Sequence, residues 1–361
     1  MSDLRTIEVA LPNRAYPIHV GAGVLDRLAD LVAPPPRAEA VALITDANVA
    51  ALHGDRVNDA LARWDLRVEQ LTLEPGEAVK TPASLTAIWR WMAGVGVHRG
   101  DVVVACGGGV VGDLAGFAAA TFHRGVEVVQ VPTSLLAQVD AAIGGKTAVD
   151  LPEGKNLVGA FHQPRAVIAD PELLATLPDD EFATGMAEVI KHGLIADADL
   201  LSLVRDEAET IVGRDLSTLS RVVADAAAVK AEVVAQDEKE SGPRAHLNYG
   251  HTLGHALETL AGYDALPHGR AVAIGMMFAA ALAVELGHPD RTREHRELLE
   301  AYGLPTGGVA HDLDDVLEVM ARDKKYDEGL RFVVLEDLGR PTLVSNVPET
   351  ALRKAFEAVR A

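Results

Sequence analysis

The chain has 361 residues, 48% of them apolar and 24% charged, an ordinary globular composition whose length favours two domains over one. A formal charge of −20 argues against a nucleic-acid partner, which would want a basic face, while leaving room for a locally basic pocket. The single cysteine, Cys106, excludes an intrachain disulfide framework and a multi-cysteine metal site, and it suits a reducing compartment.

The opening stretch "MSDLRTIEVALPNRAYPIHV" has no basic start followed by an apolar run, so no secretory signal is expected. The longest apolar stretch, "AVAIGMMFAAALAV" at 271–284, falls short of the ~18 residues of a spanning helix and reads as a buried core helix. A soluble cytoplasmic protein with no membrane partner is expected.

In chain order, "AVALITDANV" (40–49), "DVVVACGGG" (101–109), "VEVVQVPTS" (126–134) and "AVIADPELL" (166–174) are short Val/Ile/Ala runs closed by turn residues. Strands covered on both faces have this look. Helical stretches such as 81–96 lie between them, and the alternation implies βαβ units in a mostly parallel sheet. After "ATLPDDEF" the character changes, and 181–194, 216–238, 251–262, 269–286 and 291–301 read as helices. The boundary is therefore drawn at 176, giving an α/β domain at 1–176 and a helical domain at 177–361.

Glycines 107, 108, 109 and 112 in "VVVACGGGVVGDLAGFAA" carry the chain from a strand into a helix. Glycine lets backbone approach a pyrophosphate, and the helix start offers free N–H groups and a positive dipole end. The pattern is not G-x-G-x-x-G, and no acidic residue ends a strand ~20 residues later; Asp46, upstream, is the nearest ribose partner. A tight turn without a ligand is the plainer alternative. "AAIGGKTAV" and "EGKNLVGAF" add Lys146, Lys155 and Asn156 in what read as two further loops, neither of them a P-loop. Their lysines favour a phosphate-bearing ligand over two solvated charges.

"GHTLGHALETLAGYDALPHG" holds His251 and His255 at metal-ligand spacing on a helix, with His268 in an "LPHG" turn. Position 252 is Thr, so a zinc-protease glutamate is missing. Glu188 and Lys191, three apart in "GMAEVIKHG", share a helix face and would ordinarily form a solvated pair. Spacing alone leaves the metal ligands open among Glu188, His251, His255 and His268. Lys230, Arg244 and Asn248 would converge with the histidines if the chain folds back, and an arginine with a lysine suits a carboxylate or phosphate. Lys324 and Lys325 read most simply as a solvated charge run.

Seven stretches occur in one order: "GGGVVGDLAGFAAATFHRG", "QVPTSLLAQVDAAIGGKTAVD", "GKNLVGAFHQP", "GMAEVIKHG", "NYGHTLGHALE", "LPHGRAVAIGM" and "DKK". Together they resemble the 3-dehydroquinate synthase family, a branch of the sugar phosphate cyclases, from about "TDANV" to "DKK". The resemblance implies a Rossmann-like parallel α/β domain, an all-α C-terminal domain and an active site in the cleft between them. It implies NAD and a divalent metal, zinc or cobalt, held by Glu188, His251 and His268; His255 then becomes an acid/base group that touches substrate. The NAD contacts it implies are Asp46, Asn48, Glu77, Lys80, Gly109, Val110, Val111, Gly112, Asp113, Thr133, Ser134, Asp140, Lys146 and Lys155. The family often has Thr where this chain has Ser134, and both offer a hydroxyl. The substrate pocket it implies uses Lys146, Asn156, Lys191, Lys230, Arg244, Asn248, His255 and one of Lys324 and Lys325. Arg124, in "FHRG", would reach a neighbouring subunit's site in a homodimer.

The implied reaction turns 3-deoxy-D-arabino-heptulosonate 7-phosphate, a phosphorylated sugar acid, into 3-dehydroquinate and phosphate. Oxidation of the C5 hydroxyl to a ketone acidifies the neighbouring C–H, phosphate leaves, the hydride returns, and an intramolecular aldol step closes the carbocycle. A metal-dependent polyol dehydrogenase shares the two-domain plan but needs no cluster of cations. A cyclitol synthase acting on a sugar phosphate without a carboxylate would not need the Lys230–Arg244 pair.

Overall fold

The computed structural model describes residues 4–12, 14–240, 242–262, 265–323 and 330–360. It divides into two compact units, Met1–Pro178 with Arg214–Glu238, and Asp179–Gly213 with Lys239–Ala361.

The first unit is built on β1 (Arg5–Val9), β2 (Tyr16–Val20), β3 (Ala40–Asp46), β4 (Arg67–Leu73), β5 (Val102–Gly107), β6 (Glu127–Pro132) and β9 (Ala166–Ala169). They form one sheet in the order β1-β2-β9-β6-β5-β3-β4, parallel throughout except where β1 pairs antiparallel with β2. Alternate residues feed two cores. Leu43, Val102, Val104, Val129 and Ile168 face one side, and Ala42, Ile44, Val103, Ala105 and Val128 the other. Both faces are covered at the centre of the sheet, so β3, β5 and β9 are almost continuously apolar, as in a doubly covered parallel sheet. Helix starts follow their local chemistry. Asp46 Oδ1 accepts from the N–H groups of Asn48 (2.9 Å) and Val49 (3.0 Å) to cap Ala47–Ala62, and Thr81 caps Pro82–Gly94 with proline in its first turn.

Two expectations change. The stretches read as Gly-Lys loops are largely strands: β7 (Lys146–Leu151) and β8 (Gly154–Phe161) form an antiparallel hairpin, with Lys146 and Lys155 upon it. A hairpin exposed on one side lacks the continuous apolar run by which the parallel strands are recognised. The single cut at 176 also gives way to a discontinuous division. Helix Leu216–Gln236, expected in the helical half, lays Leu219, Val222, Val223 and Ala226 into the first unit, against β1 and β2. Helical periodicity shows that such a face is buried, not what covers it.

Among the described residues the second unit is helical apart from one hairpin, β10 (Arg331–Asp337) with β11 (Arg340–Ser345), so the implied all-α architecture carries this addition. Helix His268–Glu285 is long and apolar enough to cross a membrane, but 72% of it is buried inside the protein, as a core helix requires. Its Gly275 has a specific cause. A Cβ there would stand 1.8 Å from the carbonyl oxygen of Gly250, itself at φ +81°. The helix backbone thus abuts the turn that leads into His251. We expect Gly275→Ala to lower stability by about 1–3 kcal/mol through overpacking, seen as a lower urea midpoint; an unchanged midpoint would show that the turn yields at no cost.

Candidate active site

Glu188 lies on helix Asp179–Ala196 and is 1% exposed. One carboxylate oxygen, Oε2, accepts from Lys191 Nζ one helical turn on; Lys191 is equally buried, so this is no solvated pair. The other, Oε1, has no hydrogen-bond partner among the described residues. It faces His251 Nε2 at 3.6 Å and His268 Nε2 at 3.9 Å. Burying a carboxylate costs on the order of several kcal/mol, and one lysine on one oxygen leaves half the group unsatisfied. The three ligand atoms lie within 4.8 Å of one another, which suits a single metal ion.

Each imidazole is held from behind. His251 Nδ1 donates to the carbonyl of Tyr249 at 3.1 Å, and His268 Nδ1 donates to Glu258 Oε2 at 3.1 Å. These acceptors place the ring hydrogen on Nδ1 and turn each Nε2 lone pair toward Glu188. The two rings differ electrostatically. Burial, then the Lys191 charge and the neighbouring imidazoles, holds His251 well below the usual histidine range. Burial also opposes charge on His268, but the hydrogen bond and charge of Glu258, joined by Glu188, outweigh it and raise that group. Tyr249 is fixed in turn, its hydroxyl donating to His295 Nε2 at 2.8 Å while His295 Nδ1 donates to the Arg291 carbonyl at 2.8 Å. His268 opens its helix rather than sitting in a turn. His255 is exposed, its ring centroid 5.3 Å from that of His251 and 5.9 Å from that of His268.

The same unit carries buried Arg244 and half-buried Asn248 on the short helix Pro243–Asn248, with Asn248 Nδ2 donating to Glu240 Oε1 at 2.9 Å. Lys324 and Lys325 lie outside the described residues.

In the first unit β5 runs through Gly107 and Gly108 into helix Gly109–Thr121, and no side chain among the described residues caps that helix start. The N–H of Gly112 donates to the Gly108 carbonyl at 3.0 Å, while the N–H groups of Gly109, Val110 and Val111, at the helix start, suit another acceptor, such as a phosphate. A Cβ on Gly107 would meet Val111 at 2.6 Å, so the turn closes only with glycine there. Thr133 N–H donates to the Gly107 carbonyl at 3.0 Å, and Ser134 Oγ accepts from Ala137 N–H at 3.3 Å. Asp113, one turn into the helix, is reached by Lys80 Nζ at 2.5 Å. Burial pushes the Asp113 carboxyl up to about 6, against the pull of Lys80. Glu77 stands 3.6 Å from Lys155 Nζ, and Lys230 Nζ pairs with Asp140 at 2.6 Å. Asp46 and Asn48 occupy the start of the helix after β3. Lys146 is exposed at the start of β7.

The expected set is thus divided. Glu188, Lys191, Arg244, Asn248, His251, His255 and His268 belong to the second unit. Arg124, Lys146, Asn156, Lys230 and the residues expected to contact NAD belong to the first. Glu258, Tyr249 and His295 escaped the sequence reading. Glu258 alone left a trace, standing three residues after His255 on one helix, but nothing in that spacing points to a histidine on the next helix.

The fold and the site define an enzyme of the sugar phosphate cyclase class. A solved 2-deoxy-scyllo-inosose synthase, complexed with carbaglucose-6-phosphate, NAD+ and Co2+, superposes with a TM-score of 0.86 at 27% identity, covering 99% of each chain. The 2-epi-5-epi-valiolone synthase of Streptomyces hygroscopicus subsp. jinggangensis, with NAD+ and Zn2+ bound, gives 0.87 at 26% identity over 97% of this chain and 98% of that one. Residues 70–184 match the family model of the 3-dehydroquinate synthase N-terminal region, and 185–326 that of its C-terminal region. The 3-dehydroquinate synthase of Geobacter metallireducens is 46% identical over 94% of this chain and 96% of its own length. That of Caulobacter vibrioides is 44% identical over 98% of each. The chain belongs to the 3-dehydroquinate synthase family.

If the Glu258 carboxylate holds His268 for a metal, Glu258→Gln should weaken zinc binding by about 10–100-fold. A competition titration against a chelating dye measures this directly, and unchanged affinity would reduce Glu258 to a packing role.

Proposed function

We propose that this chain is a soluble, cytoplasmic homodimeric enzyme that converts 3-deoxy-D-arabino-heptulosonate 7-phosphate into 3-dehydroquinate and phosphate, using NAD and a divalent metal, zinc or cobalt. The observation that carries the reading is the buried Glu188 oxygen faced by two imidazole nitrogens, in a chain 42–46% identical to 3-dehydroquinate synthases across nearly its whole length. Cyclitol synthases share the fold at only 26–27% identity.

Glu188, His251 and His268 would hold the metal, since a cation supplies the partner that the Glu188 oxygen lacks. The uncapped start of helix Gly109–Thr121 would take the NAD phosphates. When bound, these groups supply a hydride acceptor that later gives the hydride back and a Lewis acid at the reacting C5 oxygen.

The chain's own residues do the remaining work. Further dinucleotide contacts would come from Asp46, Asn48, Glu77, Lys80, Asp113, Thr133, Ser134, Asp140, Lys146 and Lys155. Lys146, Lys191, Lys230 and Arg244 are cations for the phosphate and carboxylate ends of the substrate, fixing its middle for hydride transfer. Asn156 and Asn248 would add hydrogen bonds, as would one of Lys324 and Lys325. His255 is exposed and lies beside both imidazoles that face Glu188, which suits it to moving protons on and off substrate oxygens. Arg124 stands exposed on a turn where His123, Arg124 and Gly125 all have positive φ, braced by Arg99 donating to the His123 carbonyl at 3.0 and 2.6 Å. A turn held so firmly in a rare conformation suits a residue offered to a second copy of the chain.

Phosphate release from the heptulosonate phosphate with substoichiometric NAD should exceed the NAD present many-fold, without NADH accumulating; NADH building up mole for mole with product would overturn the reading. His268→Ala should lose both metal and turnover, whereas His255→Ala should keep its metal and lose about 10²–10⁴-fold in rate. Equal zinc in the two purified variants would refute the division of roles. Arg244→Met should raise KM by about tenfold or more, and an unchanged KM would remove its carboxylate role.

A further inference from the structure

Lys80 is 5% exposed, and a buried lysine needs partners. It has two. Its ammonium reaches Asp113 Oδ2 at 2.5 Å, at the head of the nucleotide helix, and donates to Asn156 Oδ1 at 2.6 Å, on β8. Burial alone would disfavour its charge, but Asp113, Glu77 and Asp150 together raise its affinity for the proton. The lysine is therefore a fixed cation with its donors directed at two neighbours.

Asn156 is held on more than one side. It sits at φ +57°, in the left-handed region that asparagine tolerates better than most residues, and its backbone N–H donates to Asp150 Oδ1 at 2.8 Å. Asp150 is itself tied back, its N–H donating to the Lys80 carbonyl at 2.8 Å. The side-chain orientation follows from chemistry. An ammonium only donates, so the amide oxygen must face Lys80, and the amide cannot be flipped. Asn156 is exposed, and what its side chain offers to a ligand is the Nδ2 hydrogens.

We propose that Lys80 is a positioning residue that locks the Asn156 amide with its donor end toward the substrate, so that Asn156 serves an anionic oxygen, a phosphate oxygen above all, and nothing that must donate to it. This rests on the function proposed above and assigns to Lys80 a task beyond contacting the dinucleotide. Lys80 acts through Asn156 and need not touch substrate. The same ammonium neutralises Asp113, so one buried charge serves both the nucleotide helix and the β7–β8 hairpin.

The test is a double-mutant cycle on the full-length holoenzyme. K80M should raise KM for the heptulosonate phosphate by about tenfold while kcat changes far less, as expected when a contact is loosened rather than removed from the chemistry. In the N156A background the same K80M change should alter KM less than about twofold, because the group it positions is gone. A KM effect of equal size in both backgrounds, or no effect beside Asn156, overturns the proposal. N156D gives a second measure should K80M fold poorly. The aspartate keeps an acceptor for Lys80 but loses the Nδ2 donor. It should retain NADH affinity, read by fluorescence, while KM rises at least tenfold and competitive inhibition by inorganic phosphate weakens in parallel. Wild-type KM and phosphate inhibition in N156D overturn the proposal. Wild-type protein that releases no phosphate would instead overturn the function on which the proposal rests, so the two failures are distinct.

Discussion

A carboxylate oxygen buried without a hydrogen-bond partner is the constraint around which the second unit is organised. Glu188 presents that oxygen from the middle of a helix, and Lys191 occupies only the other one. The surrounding structure does not supply it with a donor: two imidazole nitrogens face it with their hydrogens turned away, so three acceptors converge and a cation is what would satisfy them. Three neighbouring residues serve this geometry. Glu258 and the Tyr249 carbonyl orient the rings, and His295 holds the Tyr249 hydroxyl. The close approach of Gly275 to Gly250 fixes the turn from which His251 begins its helix. Cation binding and folding are thereby linked, since the donor set exists only in the folded chain.

The first unit solves the converse problem. Its helix start has N–H groups to satisfy rather than an acceptor to neutralise, and it leaves them to a ligand. The charges nearby are arranged in pairs, Lys80 with Asp113 and Lys230 with Asp140. Pairing keeps such groups in place before a ligand arrives, which lowers the reorganisation needed when one binds.

The central parallel strands β3, β5, β6 and β9 were legible in the sequence because burial on two faces leaves nearly continuous Val, Ile and Ala runs, and the long helices because their apolar periodicity is strong. The edge strands β1 and β4 and the exposed hairpin strand β8 were not, since half-exposed strands mix polar and apolar residues in ways that resemble loops. Of the site, the histidines and Glu188 stood out as residue types with metal chemistry. Which imidazoles face Glu188 did not follow from spacing: His251 and His255 lie four apart, yet His268, from the next helix, stands beside His251 at the Glu188 oxygen. The supporting residues were illegible for a different reason. Glu258, Tyr249, His295 and the Lys80–Asn156 contact depend on partners 10 to 76 positions away, and no local pattern encodes them.

The helix Leu216–Gln236 completes the first unit although it follows the opening of the second in the chain. Neither half is a continuous stretch of gene. A single recombination breakpoint cannot exchange one half for a counterpart from another protein without stripping it of a helix or bringing in a foreign one. A swap of either half therefore needs more than one breakpoint, in contrast to enzymes whose nucleotide module is a self-contained cassette.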